Sequence, residues 1–372
     1  MKIAIVTLPL YINYGGILQC YALQTVLEHI GHDVVVLEKP KYGRSYPFIK
    51  ALAICKRLFK RYVLGKKVNI LWAPHEIVNL HIKQFIRRYI HLSYKKVWSP
   101  QTLRGINAFV VGSDQIWRPE YVYSVEHAFL DFVEGLKVKR IAYAASFGVE
   151  QCTYTSKQLA TCSKLLKKFD AVSVREDSGV KICRESFGVE AVQMLDPTLL
   201  LDADDYRSLI LLSKTTPLKG NMLVYILDET EEKKKLVEQI AKERGLTPYW
   251  LDNDANSESI SWDGGAKMSV EQWLRAFDDA TFVLTDSFHG CVFSILFKKS
   301  FIAFANQDRG GTRFTSLLSL FSLNERLIFT HTEYEKRKVF LQKEIDYIPV
   351  YEELKKQRSK AFNFLKVSIK SP

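Results

Sequence analysis

The chain contains no apolar run long enough to span a bilayer. Its opening Met1-Lys-Ile-Ala-Ile-Val6 reads as a core strand and lacks the long apolar run and small-residue cleavage site of a signal peptide. The sequence therefore predicts a cytoplasmic protein. The six cysteines, Cys20, Cys55, Cys152, Cys162, Cys183 and Cys291, form no Cys-x-x-Cys pair. Set in apolar or helical surroundings, they read as reduced, mostly buried thiols. No Cys/His cluster, His-Glu-x-x-His or acidic pair has metal-ligand spacing, so neither a metal nor a cofactor is expected. There is no Gly-x-Ser-x-Gly. Cys291 lies two residues from His289 on one helix, where side chains diverge, which argues against a Cys–His dyad. Internal repeats and low-complexity tracts are also absent.

The 372 residues suit two domains rather than one core. An apolar content of 47% with 25% charged residues is that of a globular protein. The net charge of +12 is concentrated. Residues 41–98 hold fourteen Lys and Arg against one acid, Glu76, a local +13, so the remainder carries −1. Any membrane or nucleic-acid argument thus belongs to that segment alone.

The first forty residues read as strand (Lys2–Leu8), polar loop (Tyr11–Gly16), helix (Ile17–Ile30, with Gly31 as C-cap) and strand (Asp33–Glu38). Basic helical material occupies about 44–98. Short apolar runs suited to buried parallel strands follow at Ala108–Gly112, Ile141–Ser146, Ala171–Val174 and Ala191–Leu195. A second alternation begins near residue 220, with strands at Met222–Leu227, Leu246–Leu251, Thr281–Thr285, Phe301–Ala305 and Arg326–Phe329. The predicted fold is α/β, with two doubly wound, Rossmann-like domains facing one another over a cleft. The expected divisions are 1–205 for the first domain, 206–219 for a linker, 220–345 for the second domain and 346–372 for a C-terminal helix.

Candidate chemistry gathers where strands end. Thr285-Asp286-Ser287-Phe288-His289-Gly290 joins an apolar strand to an apolar helix. Ser287 is placed as N-cap and His289 in the first turn, at the sheet edge where ligands of open α/β folds bind. His289 is either a functional group there or a histidine satisfied at the junction. Asn306-Gln-Asp-Arg-Gly-Gly-Thr-Arg313 carries Arg309 and Arg313 around a Gly-Gly pair, either an anion-binding loop or a solvated one. Arg175 follows another strand and either meets a ligand or pairs with Glu176 or Asp177. Asn13-Tyr14-Gly15-Gly16 opens the first helix but is not Gly-x-Gly-x-x-Gly. Val111-Gly-Ser-Asp114-Gln115-Ile-Trp117 offers a carboxylate, an amide and an indole. That set suits sugar binding, or it is a turn that packs Trp117.

Taken in order, Asn13–Gln19, Val111–Trp117, Tyr143–Gly148, Ser173–Gly179, Leu195-Asp-Pro-Thr-Leu199 and Thr285–Gly290 resemble the polysaccharide pyruvyltransferase family. The resemblance covers about residues 1–330. It implies a fold similar to glycosyltransferase-B, with the active site between the two domains. It also implies phosphoenolpyruvate as donor co-substrate, a saccharide acceptor and a cyclic pyruvate ketal as product. It places a catalytic histidine at His289 and donor-binding residues at Arg175 and Arg309. Arg313 would help neutralise the donor, and Asp114 or Asp286 would accept a proton from the acceptor. Ser287, Asn13, Gly15, Gly16, Gln115 and Trp117 complete the expected substrate-binding set.

Two other readings fit the two-domain plan: a nucleotide-sugar glycosyltransferase and a non-enzymatic carbohydrate-binding protein. Nucleic acid is not an expected partner, because no nucleic-acid module is present. Within the basic segment, Phe48, Leu52, Cys55, Phe59 and Tyr62 recur every three or four residues, with Lys50, Lys56, Arg57, Lys60 and Arg61 between them. This is either a helix packed on the first domain or one drawn to anionic membrane. The second reading would hold the enzyme at the inner membrane face, near a lipid-linked acceptor.

Overall fold

The computed structural model of the chain describes residues 1–11, 13–37, 79–93, 98, 101–122, 124–251, 267–305 and 311–370. The first part of the chain contains β1 (Lys2–Val6), α1 (Tyr14–His29), β2 (Asp33–Leu37), α2 (Leu80–Tyr89), β3 (Leu92–Ser93), β4 (Ala108–Val111), β5 (Lys139–Ala145), α3 (Ser156–Leu166), β6 (Ala171–Val174), α4 (Asp177–Ile182) and β7 (Val192–Gln193). Helix α5 (Ala203–Leu211) follows. Next come β8 (Met222–Tyr225), α6 (Glu231–Arg244), β9 (Pro248–Trp250), α7 (Val270–Asp279), β10 (Phe282–Thr285) and α8 (Phe288–Leu296). The chain closes with β11 (Ser300–Phe304), α9 (Gly311–Leu320), β12 (Leu327–Ile328), α10 (His331–Leu341) and α11 (Tyr347–Lys370).

The strands form two parallel sheets, ordered β3-β2-β1-β4-β5-β6-β7 and β12-β11-β10-β8-β9. Central strands are covered by helices on both faces, so they read as unbroken apolar runs. Every residue of β4 and of β10 is buried. In register, Ala4 lies between Val35 and Phe109, and Leu284 between Val224 and Ile302. Each sheet reverses its strand order once, between β1 and β4 and between β8 and β10. At such a switch point the loops beyond the strand ends part and leave a crevice.

One apolar core runs continuously through both halves. Tyr14 at the start of α1 stacks on Trp273 of α7, with ring centroids 5.6 Å apart, and donates a 2.8 Å hydrogen bond to the Met268 carbonyl. Helix α8 is buried on every side, which suits its largely apolar sequence. Helix α11 touches both halves. Its Tyr347 and Tyr351 hydroxyls donate to carbonyls of Lys299 and Leu296, and its Arg358 donates to the Leu199 carbonyl and pairs with Asp202.

Three details differ from the sequence reading. Helix α1 starts at Tyr14 rather than Ile17, because the Asn13 side chain accepts a hydrogen bond from the Gly16 amide and so caps it. The expected linker 206–219 overlaps α5, whose Tyr206 packs edge-on against Phe293 at 5.0 Å, so the irregular connection begins at residue 212. Strand β3 lies within the segment read as wholly helical. The amphipathic stretch Phe48–Val63 lies outside the described residues. Among the described residues no helix is long and apolar enough to cross a membrane.

Candidate active site

The crevice at the first switch point is built by the loops after β1 and β4. Gly112, at φ +139°, has no room for a side chain: a β-carbon would stand 2.0 Å from the Tyr143 carbonyl oxygen. The turn it permits carries Ser113, whose hydroxyl donates to the Ala144 carbonyl at 2.9 Å, and buried Asp114. Asp114 accepts from the Gln115 amide at 2.8 Å, and Asn13 lies 3.4 Å away as a second donor. Thr7, Pro9, Tyr11, Asn13, Asp114 and Tyr121 line an open cleft of about 340 Å³. Gln115 is turned from that cleft and accepts from Arg118 at 3.1 Å. Trp117 is not available to a ligand. It is fully buried, stacks on Phe129 at 5.0 Å and donates its indole N–H to Ala128. The alternative of a turn that packs Trp117 is the one observed.

The two halves meet at His289. Its ring is buried at the N-terminus of α8, edge-on to Phe288. Gly15 of α1 lies directly against it. On the other side, His289 Nε2 is 3.7 Å from Oδ2 of Asp196. Asp196 is a buried hub. Oδ1 accepts from the Thr198 amide and hydroxyl, while Oδ2 accepts from Arg175 Nη1 at 2.9 Å and from Gln19 Nε2. Burial alone would raise this carboxyl. The neighbouring imidazole of His289, then Arg175 and Thr198, outweigh burial and hold it well below the usual carboxylate range.

Arg175 opens a second cleft. Its guanidinium lies 4.5 Å from the centre of the Phe288 ring. One nitrogen is committed to Asp196, but Nε and Nη2 are buried without a hydrogen-bond partner. Glu176 Oε2 lies 3.8 Å from Nε and makes no hydrogen bond, while its Oε1 accepts from Ser146, Phe147 and Gly148. Arg313 enters the same cleft from α9, and its Nε is likewise buried and unpartnered. Burial lowers the affinity of the Arg313 guanidinium for its proton, and Arg175 lowers it further. Gln193, Ser316, Gln357 and Lys360 complete the polar lining. Ser316 joins the halves, donating to Asp177 at 3.0 Å and accepting from Gln193 at 2.9 Å. Donors left unmade in a buried site are costly, so this cleft is arranged to receive acceptors. Asp196 and Glu176 already counter the charge of Arg175. The excess positive charge comes from Arg313 and Lys360.

The remaining expected residues separate. Asp286 marks the second switch point, but its carboxylate is fully engaged. It accepts from the Leu227 and Asp228 amides and from Lys233 Nζ at 2.6 Å, in an ion pair nearly closed to solvent. A group so occupied holds two loops together and is not poised to take a proton from an acceptor. Ser287 stands at the N-cap position of α8 without a side-chain capping bond; its own amide donates to Thr285 Oγ1 instead. Arg309 lies outside the described residues. Among the described residues no group of three or more His, Cys, Asp or Glu side chains could hold a metal.

Asp196, Gln19 and Gln193 belong to the site but were not given a role by the sequence, and Glu176 was read only as a possible pair for Arg175. Their signal is slight. Asp196 follows an apolar run and precedes a proline, and nothing in that spacing reveals that Gln19, Arg175 and His289 converge on it.

The chain matches a family model described as polysaccharide pyruvyl transferase over residues 13–308. No curated protein matches it by sequence. Among solved structures it is similar to a mutant of S. aureus TarM in complex with fondaparinux, alpha-GlcNAc-glycerol and UDP, at 9% identity, covering 100% of both chains with a TM-score of 0.50. It is also similar to Arabidopsis thaliana UGT89C1 complexed with UDP-L-rhamnose, at 10% identity, covering 99% of this chain and 95% of that one, with a TM-score of 0.50. These likenesses establish the glycosyltransferase-B-like arrangement of two Rossmann-like sheets.

Proposed function

The chain belongs to the polysaccharide pyruvyl transferase family, and on that premise we propose that it moves a pyruvyl group from phosphoenolpyruvate to two hydroxyls of one saccharide. One observation carries the donor assignment: Arg175 and Arg313, from opposite halves, bring unpartnered guanidinium donors to one cleft beside His289. A ligand with a carboxylate and a phosphate would use both.

The chemistry follows from the donor. Protonation of the methylene carbon makes the adjacent carbon electrophilic. His289, as imidazolium, is the proposed acid. A sugar hydroxyl attacks that carbon, the carbon–oxygen bond to phosphate breaks, and the second hydroxyl closes the ketal ring. Of the two hydroxyl protons, one restores His289 and one leaves with phosphate. Arg313 and Arg175 steady the charge that collects on the departing phosphate. The acceptor occupies the cleft of Tyr11, Asn13, Asp114 and Tyr121, where Asp114 takes the first hydroxyl proton and relays it to His289, and tyrosine faces meet the sugar. Asp286 has no part in these steps.

The test is turnover with phosphoenolpyruvate and a panel of free and lipid-linked saccharides, read by mass spectrometry and phosphate release. A product heavier by one pyruvate ketal supports the reading. Release of a nucleoside diphosphate from nucleotide sugars, with no use of phosphoenolpyruvate, overturns it. The basic amphipathic pattern of residues 48–63 supports a lipid-linked acceptor met at an anionic membrane. Liposome co-sedimentation that is weakened by salt, and lost when Lys56, Arg57, Lys60 and Arg61 become Glu, is the expected result.

A further inference from the structure

The two nitrogens of His289 face different surroundings. Nε2 is buried, has no hydrogen-bond partner and points toward Oδ2 of Asp196, 3.7 Å away. That distance is about 1 Å longer than a charge-assisted N–H···O bond. Nδ1 lies against the first half: a β-carbon on Gly15 would lie 2.0 Å from it. The residue keeps 8% of its surface exposed, and Nε2 contributes almost none.

We propose that Asp196 is a positioning residue that holds the His289 ring through Nε2, leaving Nδ1, beside Gly15, as the nitrogen that handles protons. This rests on the pyruvyl-transfer reading only for what Nδ1 acts upon. A histidine keeps one tautomer when one of its nitrogens has a fixed acceptor. Asp196 is such an acceptor. Thr198 fixes its Oδ1, and Arg175 and Gln19 fix its Oδ2 from the other side. The carboxylate therefore cannot turn away, and a small rotation of the imidazole completes the bond. In the transfer step, imidazolium Nδ1–H gives its proton to the methylene carbon. The neutral ring that remains keeps its proton on Nε2, facing Asp196. The proton recovered from the acceptor hydroxyl returns to Nδ1. The same carboxylate also holds Arg175, so one buried group sets the proposed acid relative to the proposed donor site.

Gly15 fits this assignment. Any side chain there would collide with the ring at Nδ1, so only glycine lets α1 and the imidazole lie this close.

The test is the tautomer itself. The full-length protein, labelled with 15N-histidine, is measured by NMR at a pH where the ring is neutral, with His289→Gln used to assign the signal. The expected result is a proton on Nε2 and a pyridine-like Nδ1. A proton on Nδ1 overturns the proposal. The Asp196→Asn variant should lose the single tautomer and lower kcat by about 10²–10⁴-fold, the scale seen when a histidine loses its orienting carboxylate. An unchanged tautomer in folded Asp196→Asn also overturns it. If that variant fails to fold, the wild-type spectrum alone decides. Because the spectrum needs no substrate, an Nε2–H ring in a protein that transfers no pyruvyl would refute the proposed function and leave this assignment standing.

Discussion

Gly15 and His289 fit together so closely that a single added carbon would collide. A β-carbon on Gly15 would sit 2.0 Å from Nδ1 and 2.3 Å from Cγ of the imidazole. One residue opens α1 in the first half and the other opens α8 in the second, so the contact joins the two switch-point crevices.

Gly15→Ala should therefore displace His289 or tilt α1. A misplacement of about 1 Å is enough to cost ~10²-fold in rate. The expected outcome is a folded protein with kcat reduced by at least that factor, measured beside circular dichroism. A near-normal rate would show that the ring can yield without loss.

The two arginines should separate binding from stability. Arg313 has no ion pair among the described residues. Arg313→Ala should weaken phosphoenolpyruvate binding by roughly 1.5–3 kcal/mol, the worth of a hydrogen bond to a charged group, with little change in unfolding. Arg175→Ala strands two buried carboxylates, Asp196 and Glu176, and should lower stability by about 3–5 kcal/mol. Calorimetry and chemical denaturation of both variants check this. Equal effects on both measurements for both residues would contradict it.

Asp286→Asn should behave as a stability variant. Its removal leaves Lys233, itself buried, without a counter-charge. Breaking such a pair typically costs about 3–5 kcal/mol. The folded fraction should keep its kcat. A loss of kcat with unchanged stability would restore Asp286 as a proton acceptor.

The organisation of the fold was largely legible because parallel strands covered on both faces appear as unbroken apolar runs; β4 and β10 are buried at every position. Strand β3 escaped because two residues inside a basic stretch leave no such run. The site was legible only in part. His289 and Arg175 follow strands, a position that sequence alone can suggest. Trp117 and Asp286 follow strands too, yet one is core and the other a brace. What separates the two outcomes is the company each keeps. For Asp196 that company comes from Gln19, Arg175, Thr198 and His289, brought together only by the folded chain.

Acid should weaken the protein partly through Asp196. Its carboxyl titrates well below the usual range in the folded state, whereas an unfolded aspartate titrates near ~3.9. A depressed folded value stabilises the protein above the unfolded value. That stabilisation fades as pH falls through the range between the two. The stability gap between wild type and Asp196→Asn should thus be widest near neutrality and shrink below about pH 4. Denaturant unfolding at pH 7 and pH 3 measures the gap. A gap independent of pH would mean that the carboxylate contributes by shape rather than by charge.

Helix α11 anchors tyrosines in the second half and Arg358 in the first. Gln357 and Lys360, on the same helix, line the cleft that holds Arg175 and Arg313. Helix α11 thus works as a clasp as well as a wall. A ribosome would have to translate past Lys360 before the cleft of Arg175 and Arg313 could close. A protease that clipped the chain ahead of Tyr347 would silence the enzyme while leaving His289, Asp196 and both arginines chemically intact.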